Sequence, residues 1–188
     1  MNVIAVGAGD DAFRVLLQQN RAPQTCDYFR ASVEHGALNS AVVFRVLAEK
    51  NQRASAAPSI DVVQLGTPQG LNAQRATIAH EDTLKTGLPH QRWTVSAARY
   101  APGELYGSFF VCMRDEPELD VGGTRNEDGL GFAAFGQVVS GFETLEALHA
   151  GAESRDVLKH SVTVQHVSIE PATPDECELL LPPLTDSP

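Results

Sequence analysis

Apolar residues along this chain come in short runs broken by glycine, proline and charge, and only two stretches show the wider spacing of a helix. Val3–Val6 is the first run, and FRVLLQQ, beginning at Phe13, is the second. Ala41–Leu47 (AVVFRVL) is β-branched, and Ile60–Gly66 (IDVVQLG) follows a long Ala/Ser-rich loop, Ala48–Ser59. Later runs are the small-residue segment around Val95, Ala97 and Ala98, then Phe109–Met113, Phe132–Val138 (FAAFGQV) and Ser161–Glu170, where Val162, Val164 and Val167 alternate with polar residues. Runs of this length bounded by turn residues predict strands. Cys26, Phe29 and Val33 instead fall at i, i+3 and i+7, the stripe of a helix that Pro23 begins, Thr25 caps and Gly36 ends. Phe142, Leu145 and Leu148 mark a second helix, entered through Ser140-Gly141-Phe142-Glu143 as a capping box and ended by Gly151. Two strands, a helix, several strands, a helix and a closing strand, without βαβ alternation, predict a mainly β protein: a closed antiparallel barrel capped by two α-helices. That unit spans 1–170. The acidic, proline-rich tail 171–188 contains ELLLPPL, apolar enough to dock.

Length and composition narrow the class. At 188 residues and 43% hydrophobic content the chain can bury a sizeable core as one domain. A formal net charge of −10 argues against nucleic acid, which is bound by neutralising phosphates. No apolar run reaches the roughly 18 residues of a membrane span. Met1-Asn2-Val3-Ile4 has neither the basic nor the apolar region of a signal peptide, and three cysteines without metal spacing suit a reducing, cytoplasmic setting. Oligomeric state is not readable from the residues.

Candidate chemistry is sparse. Gly7-Ala8-Gly9-Asp10-Asp11-Ala12 reads either as a dinucleotide fingerprint, the basis of an oxidoreductase reading, or as the turn of a β-hairpin, which is the better supported of the two. His80 and His90 lack a zinc partner at the right spacing and are expected at the surface, and no metal site is expected. The acids of Val121–Gly131 lack calcium-loop spacing and predict a solvated loop. Arg45, inside an apolar run, predicts an edge strand with its head in water, or else a functional cation. Phe109 and Phe110 are adjacent on one strand, so one faces a core and the other a groove or a second core.

Several of these segments resemble the cyclophilin-type peptidyl-prolyl isomerases. A-P-Q-T-C-D-Y-F is similar to A-P-x-T-x-x-N-F, FRVL to F-H-R-V-I, DVVQLG to F-M-I/V-Q-G-G, GSFFV to S-Q-F-F-I, and FAAFGQV to H-V-V-F-G-x-V. HEDTLKTGLPHQRWTVSAAR resembles E-T-x-x-T-G-L-x-H-x-x-G-T-V-S-M-A-R of bacterial members, with Trp93 at a usual glycine. The resemblance covers about residues 12–170. It implies an eight-stranded cyclophilin-like barrel that isomerises X-Pro bonds in proteins during folding, without a cofactor. Arg45 would donate to the prolyl nitrogen and Gln64 would orient it. Phe110 and Leu119 would form the proline pocket, with Val62 in place of methionine and Ala98 lining the groove. The backbone of Arg99 would hold a substrate carbonyl. Ser108 stands for a glutamine, a shortened substrate-side donor that lengthening to Gln would restore. Phe132 stands for a histidine on the rim, Phe44 and Val43 for the histidine and phenylalanine before the arginine, and Glu118 for a tryptophan. The implied partners are proline-containing peptides or protein clients. A peptide-binding module that has lost turnover remains the alternative.

Overall fold

The computed structural model describes residues 1–8, 11–52, 57–67 and 75–182. β1 (Asn2–Ala8) and β2 (Asp11–Leu17) are followed by helix α1 (Pro23–Glu34), then β3 (Val42–Leu47) and β4 (Val62–Gly66). A two-residue strand, β5 (Ala76–Thr77), and one helical turn, α2 (Thr83–Thr86), lead into β6 (Thr94–Arg99) and β7 (Glu104–Cys112). β8 (Ala133–Ser140), α3 (Phe142–Ala150), the long β9 (Val157–Pro171) and a short α4 (Pro174–Glu178) complete the order.

Every pairing is antiparallel, and the ring β1-β2-β8-β6-β7-β4-β3-β9 returns to β1. The β4–β7 pairing closes it, which removes the exposed edges of an open sheet. β5 adds to the start of β7, opposite Leu105 and Glu104. Eight strands thus make the barrel, and the ninth is a short addition. β1 and β2 form a hairpin from Val3 opposite Leu16 to Ala8 opposite Asp11. FRVLLQQ is therefore mostly strand, and the glycine fingerprint lacks the helix whose N-terminus would hold a pyrophosphate. Residues 9 and 10 of that turn, and the Pro68-Gln69-Gly70 turn, lie outside the described residues.

Phe13, Phe29, Phe109 and Phe135 centre the interior, with Phe29 from α1 stacked 4.4 Å from Phe135 and edge-on 5.5 Å from Phe109. Cys26 and Cys112 are buried thiols, as the apolar pattern around them predicts. α1 plugs the barrel through Cys26, Phe29 and Val33, but it is not capped by Thr25. Ala22 is the N-cap, and the orphan amides of Gln24 and Thr25 donate to the Glu81 carboxylate at 3.1 and 2.8 Å. The Thr25 hydroxyl donates to the same carboxylate at 2.7 Å. The capping box expected at Ser140 is also absent. Gly141 is the N-cap of α3 at φ 78°, where any Cβ would collide with the Ala12 carbonyl. Trp93 does adopt the left-handed conformation of the glycine it replaces (φ 74°), packed 5.0 Å from Phe142 and under the Arg92 guanidinium.

Candidate active site

The site begins with an extra residue in β3. Val43 faces Leu65 and Arg45 faces Gln64, so Phe44 is a bulge between them. Strict alternation would send Arg45 inward with Val43. The bulge instead leaves Phe44 and Arg45 half-exposed while Val43 and Val46 stay in the core. β3 lies between β4 and β9, so Arg45 is not on an edge strand; the bulge is what turns it out.

The outer faces of four strands then share one patch. Arg45 and Leu47 from β3, Val62 and Gln64 from β4, Ala98 from β6 and Phe110 from β7 line a cavity of about 300 Å³. Leu119, Arg99 and Phe132 close it. Alternation on β7 resolves the phenylalanine pair: Phe109 belongs to the interior, Phe110 to a second apolar cluster with Val62, Ala98 and Leu119. The Phe110 ring is the floor, edge-on to Phe132 at 5.3 Å and stacked over His90 at 6.2 Å.

The polar rim is held from unexpected quarters. Arg45 Nε and Nη2 both bond Asp156 Oδ2, at 2.8 and 2.6 Å. That pairing holds the Asp156 carboxyl below its usual range against the opposing effect of burial. Nη1 of Arg45 has no partner among the described residues. Gln64, expected to orient Arg45, donates instead to the Tyr106 hydroxyl at 3.0 Å and the Ser108 hydroxyl at 3.1 Å. Ser108 is fully buried beneath it and donates to the Leu65 carbonyl at 2.9 Å. It does not line the cavity: it shares the outward face of Phe110 by a period of two, but there Gln64 covers it, so it offers no donor to a substrate. Arg99 spends its side chain on Asp128, at 2.8 Å through both nitrogens, and on the Gly131 carbonyl. Its guanidinium lies 5.0 Å over the Phe132 ring, which leaves only its backbone for a ligand.

His90 is the clearest departure from the sequence. It is buried, not on the surface, with Nδ1 2.7 Å from Asp120 Oδ1 and Nε2 2.8 Å from the Ser96 hydroxyl. Burial pushes its pKa down, and Asp120 acts in the opposite direction. Serine, histidine and aspartate stand in the order of a nucleophilic triad, but Ser96 is fully buried and does not line this cavity. Its place opposite Phe110 makes the chain a support for the floor. His80 is half-buried, bonded to the Leu130 carbonyl at 3.0 Å. Sequence reasoning also missed Tyr106, although it shares the β7 face of Phe110 by a period of two, and Arg125 and Asn126, which reach the cavity from the loop expected to be solvated. Glu118 turns into that loop, accepting from the Thr124 amide and hydroxyl at 2.8 and 2.7 Å.

A barrel with this apolar cavity, roofed at one side by an arginine, is the architecture of a cyclophilin. The profile of the family "cyclophilin type peptidyl-prolyl cis-trans isomerase/CLD" matches residues 3–170, and the chain belongs to that family. It is 27% identical over 165 residues to peptidyl-prolyl cis-trans isomerase cyp18 of Streptomyces antibioticus, covering 86% of this chain and 92% of that one. It is 23% identical over 158 residues to peptidyl-prolyl cis-trans isomerase B of Escherichia coli K12, covering 84% and 90%. Among solved structures, a cyclophilin-type isomerase of Cryptosporidium parvum, crystallised in the presence of the dipeptide Ala-Pro, superposes with a TM-score of 0.70 at 16% identity, over 90% of this chain and 99% of that one. The fold is therefore that of the family, as the order of strands and helices predicts.

Proposed function

We propose that the cavity binds an X-Pro segment of a peptide or protein client and accelerates its cis–trans rotation. The observation that carries this reading is the pairing of an apolar slot, floored by Phe110 and walled by Val62, Ala98 and Leu119, with an arginine whose Nη1 has no partner among the described residues. Rotation about X-Pro is slow because amide resonance must be broken, a barrier of roughly 20 kcal/mol. A catalyst needs a seat for the ring and a donor that favours the twisted amide, whose nitrogen gains a lone pair. Phe110 supplies the seat. Arg45, held on one edge by Asp156, supplies the donor on the other. Gln64 sets the Tyr106 hydroxyl on the rim, and the Arg99 backbone accepts the peptide alongside. The step moves no proton and makes no covalent bond, so it asks for neither nucleophile nor cofactor. Three free thiols, two of them buried, fit a reducing cytoplasmic setting in which the protein assists folding.

The competing reading, a proline-binding module without turnover, draws on Ser108 being buried where the family has glutamine. A protease-coupled isomerisation assay on an X-Pro peptide separates the two. Acceleration in proportion to enzyme concentration is expected; peptide binding without acceleration would leave the module reading standing.

A further inference from the structure

The loop between the strand bearing Phe110 and the strand bearing Phe135 brings a cation to the cavity that no catalytic role above uses. Among the described residues lining the cavity, three are arginines, Arg45, Arg99 and Arg125, and none is acidic. Arg99 is spent on Asp128, and Arg45 has Asp156 behind it. Arg125 differs from both. It is half-buried, and among the described residues its guanidinium donates only to the Pro58 carbonyl, from Nη1 at 2.6 Å. An arginine carries five N–H donors, so most of this one's have no partner among the described residues. Burial and the positive charge of Arg45 push the Arg125 pKa down together, while Asp156 and Glu116 act more weakly in the other direction. Glu116 is itself engaged, by Arg114 at 2.9 Å and by the Asp61 amide.

The position of Arg125 is built. Its amide donates to the Glu118 carbonyl at 3.2 Å, and Thr124 beside it bonds the Glu118 carboxylate through both amide and hydroxyl. Gly122 closes the loop on the Gly129 carbonyl at 2.8 Å. Glu118, which stands where the resemblance has a tryptophan, is thus turned away from the groove and holds the loop of Arg125 over it.

We propose that Arg125, with Arg45 across the cavity, forms an anion subsite, so that this groove selects X-Pro segments carrying an aspartate or glutamate beside the proline. The inference rests on the isomerase reading and narrows its substrate class. A guanidinium fork matches a carboxylate in two parallel hydrogen bonds, and a half-buried pair is screened less than one in open water. Three guanidiniums against the carboxylates of Asp128 and Asp156 leave the surroundings of the cavity positive, on a chain whose formal charge is −10. Acidic clients are therefore disfavoured by the protein at large and favoured at this one groove.

The test uses twin X-Pro peptides that differ only in Glu or Gln next to the proline, titrated by NMR into the whole protein at low and high salt. The Glu twin is expected to bind roughly fivefold tighter at low salt, with the gap narrowing as salt rises. In Arg125→Gln the ratio of the two affinities should fall towards one, and Arg125→Lys should keep part of it. Equal affinities in the parent would overturn the proposal on their own, with no variant needed. A ratio that survives Arg125→Gln would overturn it by placing the anion elsewhere. Binding of neither twin would overturn the groove reading as well.

Discussion

A serine hydroxyl that already donates to a carbonyl and accepts from an amide has little left to offer a substrate. Ser108 is in that position, between the Leu65 carbonyl and Gln64. Gly66 confirms how tight the spot is, since a Cβ there would come within 2.8 Å of Ser108. Ser108→Gln should therefore lower kcat/KM and stability together, because the longer chain must push Gln64 and Tyr106 aside; overpacking of this kind costs about 1–3 kcal/mol. A mutant with higher kcat/KM and an unchanged denaturation midpoint would restore the substrate-side role that the sequence alone suggests. His90 allows a pH prediction. Its folded pKa lies below the ordinary value of 6.5, so the unfolded chain takes up the proton first. Stability from this group is whole above that value and is lost as pH falls towards the folded one. Between about pH 7 and pH 5.5, urea midpoints of the parent should fall more steeply than those of His90→Gln. Asp82, Asp128 and Asp156, whose carboxyls are all lowered, titrate further down. Glu116, raised by burial, works in the opposite sense but is present in both proteins. Parallel pH dependences would mean that His90 is not the buried neutral imidazole supporting Phe110.

Among the elements, α1 shows what a sequence carries and what it does not. Its apolar stripe and its Pro23 start are local, and both were legible. Its cap was not, because Glu81 stands 56 residues from Thr25 and meets it only when the barrel closes. The same holds for Arg45 and Asp156, 111 residues apart, and for Asp120 at His90. The β3 bulge was illegible for another reason. AVVFRVL scores as a plain strand, and only pairing to β4 shows that Phe44 is the extra residue that frees Arg45. Strand faces, by contrast, follow from a period of two, so Phe109 inward and Phe110 outward could be read in advance as one of two outcomes. Glu81→Ala should leave two amides and the Thr25 hydroxyl without their acceptor and destabilise the protein by about 2 kcal/mol, with peptide affinity little changed. Unfolding by urea measures it, and an unaltered midpoint would show that water replaces the carboxylate without loss.

At the scale of the whole molecule, closure puts every site residue on a strand with two neighbours or on a loop tied to one. The segment after β9 is also tied down: Arg14 of β2 bonds Glu176 of α4 at 2.8 Å and pairs with Glu170, while Gln18 bonds Leu179 and Leu181 at 3.1 and 2.9 Å. Up to residue 182, ELLLPPL is tied by hydrogen bonds to Gln18, Asn20 and Arg21, between β2 and α1, while Leu179 and Leu181 stay exposed. The barrel thus presents an apolar slot whose β3 side carries the Arg45 Nη1 edge. If that edge stabilises the twisted amide, turnover and binding must come apart when it is removed. NMR exchange spectroscopy on a neutral X-Pro peptide gives both from one titration. Arg45→Ala is predicted to retain affinity within a fewfold while catalysed exchange falls by roughly a hundredfold or more, the loss of about 3 kcal/mol typical of one transition-state donor. Exchange as fast in Arg45→Ala as in the parent would contradict the account.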